Sequence, residues 1–184
     1  VVDEVWYVRW TVVVEGLQPA TDYVWRLGSW EEFDHDAGEL VAPNLSARGT
    51  VRTAPAKGSR APFSVVMAGD SRGGNEPIRG NMAVFEGLQA DMWFFNGDFS
   101  QGGTQPEWAD WYDAMQPIMV DDPMMTVRGN NEIFADLYYD QIALPVEPDL
   151  PPEMVENAWT LDYGNVHFVG LDSNGEAAAE NQVE

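Results

Sequence analysis

The sequence comprises 184 residues, of which 9 are Lys or Arg and 31 are Asp or Glu, for a formal net charge of −22. That acidic excess excludes nucleic-acid binding through a basic patch, which needs cations to displace counterions, and docking on an anionic membrane through a polybasic patch. At 45% hydrophobic and 12% aromatic the chain can bury a core, and its acids are spread along the whole length beside a single lysine, as on a solvated, salt-adapted surface. A cation site is the competing explanation for part of that charge. The absence of cysteine removes disulfides, thiolate ligands and a thiol nucleophile. No apolar run approaches the ~18 residues that span a membrane. The chain opens Val1-Val2-Asp3-Glu4, with neither an initiator Met nor a signal-peptide pattern, and reads as one with a leader removed or as starting inside a larger protein.

The first ~55 residues carry β signals. Trp6 to Val14, rich in Val, Trp and Thr, predicts a strand; Tyr23–Leu27 predicts a second and Gly49–Thr53 a third. The acidic stretch Ser29–Asn44 interrupts them. The segment Leu17-x-Pro19-x-Thr21-x-Tyr23 resembles the tyrosine corner of fibronectin type III-like sandwiches, in which the Tyr hydroxyl bonds to upstream backbone. An ordinary β-turn flanked by the same residues is the alternative. The run Ala54-Pro55-Ala56-Lys57-Gly58-Ser59-Arg60 reads as an interdomain linker, which places one domain at 1–57 and a second at 58–184.

Beyond the linker the pattern changes. Phe63–Ala68 is a short apolar run of the kind covered on both faces, and it ends in Gly69-Asp70-Ser71-Arg72. A helix is predicted over Glu76–Gln89, with Ile78, Met82, Phe85 and Leu88 near helical spacing. Met92–Asn96 is a second apolar strand, ending in Gly97-Asp98. Pro106–Met115 predicts a helix with Trp108, Trp111, Tyr112 and Met115 on one face. Met124–Val127 is a third strand, followed by Arg128-Gly129-Asn130-Asn131-Glu132. A proline-rich stretch, Leu144–Pro152, precedes a hairpin-like pair, Ala158–Asp162 and Val166–Leu171.

Three strands thus each end in a small-residue turn bearing an oxygen donor: Asp70, Asp98 and Asn130. Their separations of 28 and 32 residues suit one strand–helix–strand unit per step, about 30 residues each. In a sheet wound this way the carboxyl ends of the strands gather along one edge, so motifs distant in sequence can meet in one crevice. Two carboxylates and an amide oxygen are hard donors that suit Mg, Mn, Zn or Fe.

The ordered series resembles the first three motifs of the calcineurin-like metallophosphoesterases, Gly-Asp-x-His/Gly, Gly-Asp-x-x and Gly-Asn-His-Asp/Glu. It is most similar to the purple acid phosphatase branch, which joins a fibronectin type III-like domain to the phosphatase domain; Leu17–Tyr23, Arg52-Thr53-Ala54-Pro55 and Asp162–Ser173 match segments of that branch. The resemblance implies a partial β-sandwich followed by a partial α/β metallophosphoesterase domain with mixed sheets flanked by helices. It implies two metal ions (Fe, Zn, Mn or Mg), with Asp70 on one, Asp98 bridging both and Asn130 on the second. It further implies that a hydroxide activated by the two ions attacks a phosphate ester, and that the protein is extracellular or periplasmic.

The sequence also departs from the family pattern. Arg72 stands where the superfamily has a histidine ligand or, in the purple branch, a glycine. Arginine cannot ligate a cation, but it can grip a phosphate oxygen; pairing with surface acids is the alternative. Gln101 takes the place of the tyrosine that colours purple enzymes. Asn131 replaces the histidine that contacts substrate or assists the leaving group; an amide can donate a hydrogen bond but is no general acid near neutral pH. The family's remaining histidine ligands have no counterpart: His35 lies in an acidic loop and reads as solvated, while His167 reads as a satisfied core histidine in an apolar strand. A metal-dependent phosphoesterase, of which this is an incomplete stretch, is therefore the first expectation. A non-catalytic protein that keeps the fold for an extracellular binding or structural role is the second.

Overall fold

The computed structural model describes residues 9–29, 32–41, 44–73, 75–132, 137–145, 150–151, 154–155 and 157–174. In the first part, β1 (Asp22–Ser29) pairs antiparallel with β4 (Asn44–Arg52), from Asp22 opposite Arg52 to Ser29 opposite Asn44 with a bulge at Leu27/Gly28. A small hairpin of β2 (Glu32–Asp34) and β3 (Glu39–Val41) fills the acidic stretch that the sequence leaves without structure. Of the strand expected over Trp6–Val14, residues 6–8 lie outside the described residues, and 9–14 form no strand and have no ladder partner among the described residues. Trp10, Val12, Val13 and Val14 are between 65% and 85% exposed, so β-propensity there meets no surface to pack against. Tyr23 does form the expected corner contact, its hydroxyl accepting the Gln18 backbone N–H at 2.8 Å.

The second part is layered. β5 (Val65–Ala68), β6 (Met92–Asn96) and β7 (Met124–Val127) form a parallel sheet in the order β5-β6-β7. α1 (Asn75–Gly87) crosses from β5 to β6 and α2 (Gln105–Met119) from β6 to β7. α3 (Leu137–Gln141) follows, then the antiparallel hairpin β8 (Ala158–Tyr163) and β9 (Val166–Leu171).

The central strand shows why both faces are covered. Successive side chains of β6 point to opposite sides. Trp93 and Phe95 enter a core with Ile78 of α1 and Trp108, Trp111, Ala114, Met115 and Ile118 of α2. Met92 and Phe94 enter a second core against Trp159, Tyr163 and Phe168 of the hairpin. The order of layers is helices, parallel sheet, hairpin. Trp159 Nε1 donates to the Thr126 carbonyl at 2.7 Å, and the Thr126 and Tyr138 hydroxyls bond at 3.0 Å, whereas the buried Nε1 atoms of Trp108 and Trp111 have no partner among the described residues.

The two parts touch at the end of α2. Trp25 Nε1 donates to the Val120 carbonyl at 3.0 Å, and the Thr50 N–H and hydroxyl both donate to Asp121 Oδ1, at 2.7 and 2.8 Å. Among the described residues no helix is long and apolar enough to cross a membrane.

Candidate metal centre

All three parallel strands end on the same edge of the sheet, and each is followed by one of the expected donors. Asp70, Asp98 and Asn130 line one cleft of about 390 Å³ together with Arg72, Arg128, Ser173 and Asn174. The loops are locked by backbone bonds: Asp70 N–H to the Gly97 carbonyl at 2.9 Å, and Arg72 N–H to the Asp98 carbonyl at 2.8 Å. Five described non-glycine residues have positive φ, and Asp70 (57°), Arg72 (46°) and Asp98 (54°) are three of them. Left-handed backbone is uncommon for side-chain-bearing residues and gathers where function over-determines the chain.

Gly97 and Gly129 explain the small residues of the motifs. Gly97 is at φ 72°, and a Cβ on it would overlap the Gly129 backbone; a Cβ on Gly129 would overlap both the backbone nitrogen and Oδ1 of Asp98. The two turns therefore approach at backbone distance, which is what brings Asn130 beside Asp98.

Glu132 builds the floor beneath them. It is 1% exposed and accepts N–H bonds from Asp98 at 2.8 Å and Gly129 at 3.1 Å on one oxygen, and from Ser100 at 3.2 Å on the other. Burial pushes its carboxyl above the ordinary carboxylate range, against those three donors, which favour the anion. Behind the loop, Phe99 is fully buried against Phe95, Trp108 and Trp111, at ring separations of 4.7, 5.0 and 4.9 Å. Asp98 is thus clamped from both sides of its own backbone.

Its carboxylate, 8% exposed, faces the cleft, with Oδ1 accepting the Asn131 N–H at 3.1 Å. Asn131 Nδ2 is buried and has no hydrogen-bond partner among the described residues. Arg72 lies between the carboxylates: its Nε is 2.5 Å from Asp70 Oδ1 and 3.1 Å from Asp98 Oδ2. The bond to Asp70, more than the one to Asp98, raises the guanidinium pKa above its ordinary value. On the far wall, Arg128 binds Asp172, which is 1% exposed, through Nε at 2.8 Å and Nη2 at 2.6 Å, and lies 5.2 Å over the Tyr139 ring. Asn174 joins in, donating from Nδ2 to Asp172 Oδ1 at 2.7 Å and to the Arg128 carbonyl at 3.0 Å.

The structure therefore brings Asp70, Arg72, Asp98 and Asn130 to one cleft and sets Asn131 directly behind Asp98. Gln101 is exposed in the loop before α2 and does not line that cleft. His35 is exposed in the β2–β3 turn. His167 is not a core histidine as expected: its side chain is 56% exposed and its Nδ1 lies 2.8 Å from Asp162 Oδ1. Along β9 the two-residue period puts His167 on the open face with Val169 and Leu171, while Phe168 packs inward. Three supporting residues escape sequence reading as site residues: Glu132, Arg128 and Asp172. Glu132 at least had a signal, as the acid closing the third motif.

Two carboxylates and an amide oxygen converging on one cleft, on loops held at backbone distance, suit a hard cation in donor type. They fit one ion. Among the described residues no group of three or more His, Asp or Glu side chains is placed to hold a metal. A second ion would need donors from elsewhere.

Residues 63–176, well over half of the chain, match the calcineurin-like phosphoesterase family. Among curated proteins no relative is detected. Among solved structures, a purple acid phosphatase from yellow lupin (Lupinus luteus) seeds superimposes with a TM-score of 0.61 at 18% identity, covering 87% of this chain and 32% of that one. The chain thus spans about a third of that phosphatase's length, and the likeness is one of fold. With the matched segment running from the first parallel strand past the hairpin, the chain belongs to the calcineurin-like phosphoesterase family.

Proposed function

We propose that this chain forms part of a metal-dependent phosphoesterase acting on phosphate esters. The observation that carries the reading is the convergence of Asp70, Asp98 and Asn130 on one cleft at the carboxyl edge of the parallel sheet. Those three would hold the metal, with Asp98 shared if two ions bind; Fe, Zn, Mn and Mg all suit the donors. A metal there supplies Lewis-acid polarisation of a phosphoryl oxygen and a lowered pKa for bound water. The donors of a second ion come, in this reading, from another segment or chain.

This chain's own residues do the rest. Asp98, with backbone bonds on each side, keeps its carboxylate aimed into the cleft. Arg72 lines the cleft and offers a guanidinium to the substrate anion, while the Asn131 amide lies buried behind Asp98 and would need to turn toward the cleft to reach a phosphate oxygen. Arg128, paired with the buried Asp172 carboxylate, lines the wall as a neutralised, held group. Neither Arg72 nor Asn131 can shuttle a proton near neutral pH, so leaving-group protonation is left to water or to a residue outside the described set. A non-catalytic binding role remains the alternative, favoured by the ion pairs that already occupy both carboxylates.

We also propose residues 1–57 as the C-terminal part of a fibronectin type III-like domain and 58–184 as the N-terminal part of the phosphoesterase domain. The Tyr23–Gln18 corner bond supports the first. An extracellular or periplasmic location follows from the same likeness. The functional reading is tested by assaying bound metal and p-nitrophenyl phosphate hydrolysis in the protein and in Asp98→Ala. It expects metal-dependent turnover that Asp98→Ala abolishes; turnover unaffected by chelation or by the substitution would sink it.

A further inference from the structure

Arg72 holds the position that a cation would take. Its Nε bridges the two carboxylates, at 2.5 Å from Asp70 and 3.1 Å from Asp98. Its own backbone, at a φ of 46°, is pinned to the Asp98 carbonyl. A guanidinium that bridges both carboxylates competes with an ion for the same oxygens, because the two positive charges would then lie a few ångströms apart. The guanidinium is also the weaker holder. Its side chain is 50% exposed, as is much of Asp70, and ion pairs in such settings are worth little in water.

We propose that Arg72 is a resident counter-ion of the Asp70–Asp98 pair, which a divalent cation displaces, and that the displaced guanidinium stays in the cleft as a contact for the substrate anion. This rests on the reading of Asp70 and Asp98 as metal ligands. It gives one residue two places: in the metal-free protein it neutralises carboxylates that would otherwise repel, and with metal bound it is released toward the anion. Asn130 and Asn174 line the same cleft and offer amide groups beside the released side chain. Metal affinity is accordingly set below what the donors alone would give, because an entering ion competes with the guanidinium for both carboxylates.

The test is Mn²⁺ binding, read calorimetrically and by the loss of free-Mn²⁺ resonance, to the full chain and to its Arg72→Ala and Arg72→Gln forms. Far-UV circular dichroism checks that each is folded; Arg72→Gln keeps the length of the stem should Arg72→Ala fold poorly. Both variants should bind Mn²⁺ more tightly, on the order of tenfold for the release of two partly exposed pairs. In chelator their thermal midpoints should fall below that of the parent, and Mn²⁺ should raise them by more. Millimolar guanidinium ion should weaken Mn²⁺ binding to Arg72→Ala and leave the parent unchanged. Equal or weaker Mn²⁺ affinity in both folded variants overturns the proposal while leaving the metal site standing. No Mn²⁺ binding by any of the three proteins overturns the metal-site reading and this inference together.

Discussion

The Glu132 carboxylate takes the N–H groups of Asp98, Ser100 and Gly129 while lying 1% exposed. Replacing it by Gln turns one acceptor oxygen into an NH₂ group that faces a backbone donor. We predict that Glu132→Gln lowers unfolding free energy by about 1–3 kcal/mol, measured by denaturant titration, the range for stranding a buried polar group. An unchanged midpoint would show that Asp98 is positioned without it. On the opposite wall, Asp172→Ala leaves Arg128 with no carboxylate in a largely buried place, and the expected loss is on the order of 3 kcal/mol. In the proposed reading, Asn131 stands where a proton donor would serve the leaving group. Asn131→His should raise phosphate-ester turnover tenfold or more if lack of that donor limits the rate, since general acids contribute about 10²–10⁴-fold; an unchanged rate would show that the site works without one. At this scale the sequence picked out Asp70, Asp98 and Asn130, which the structure brings to one cleft, and missed the residues packed around them. Asp70, Asp98 and Asn130 stand out because Gly and a strand end flank each. Arg128 and Asp172 are 44 positions apart, and nothing local links them. Arg72 was legible as an anomaly, but only side-chain geometry shows it between the carboxylates rather than out in solvent.

Strand Met92–Asn96 and helix Gln105–Met119 hold the aromatic core against which Asp98 is set. Phe99 is fully buried there, so Phe99→Ala should cost about 3–5 kcal/mol and loosen the Asp98 loop, seen as lower stability with weakened metal binding. The helix begins at Thr104, whose N–H and hydroxyl both donate to Glu107 Oε2, at 3.0 and 2.7 Å. The Thr104 hydroxyl, more than the backbone donors, holds the Glu107 carboxyl below its ordinary range. A depressed carboxyl lends stability that is full above its unfolded pKa, about 4.3, and fades as pH falls through the lower folded value. In Glu107→Gln the acid-side decline of stability should therefore be shallower; a decline matching the parent's would remove Glu107 from the account. The apolar runs at β5, β6 and β7 were readable as short unbroken strands, although only β6 is buried on both faces and Met67 of β5 is 63% exposed, and the hairpin β8–β9 because a Gly-Asn turn separates two β-rich runs. The β2–β3 hairpin was not, since three-residue strands in acidic sequence carry no alternation. The opposite error fell on residues 9–14, where strand propensity is high but no ladder partner is among the described residues. Helix α2 runs past its predicted end at Met115 to Met119, with Pro117 tolerated in its last turn.

The whole molecule carries −22 charges, and the candidate centre accounts for only two of the acids as carboxylate ligands. Apart from buried acids such as Glu132 and Asp172, the exposed acids among the remainder repel one another, and salt screens them. The thermal midpoint should rise as KCl is raised toward molar concentrations; a midpoint that is flat or falls would contradict a salt-adapted surface. The two-part organisation is held where Trp25 and Thr50 bond the end of α2 at Val120 and Asp121, a junction no sequence pattern announced. The central claim is that Asp70, Asp98 and Asn130 form a metal site at the carboxyl edge of the sheet. Anomalous diffraction from crystals grown with Mn²⁺ tests it most directly. The account predicts a peak within about 2.0–2.6 Å of the Asp70 and Asp98 carboxylates, the range for hard-cation oxygen ligands, with Arg72 turned away; a peak only at other surface acids, or none in the cleft, would contradict it.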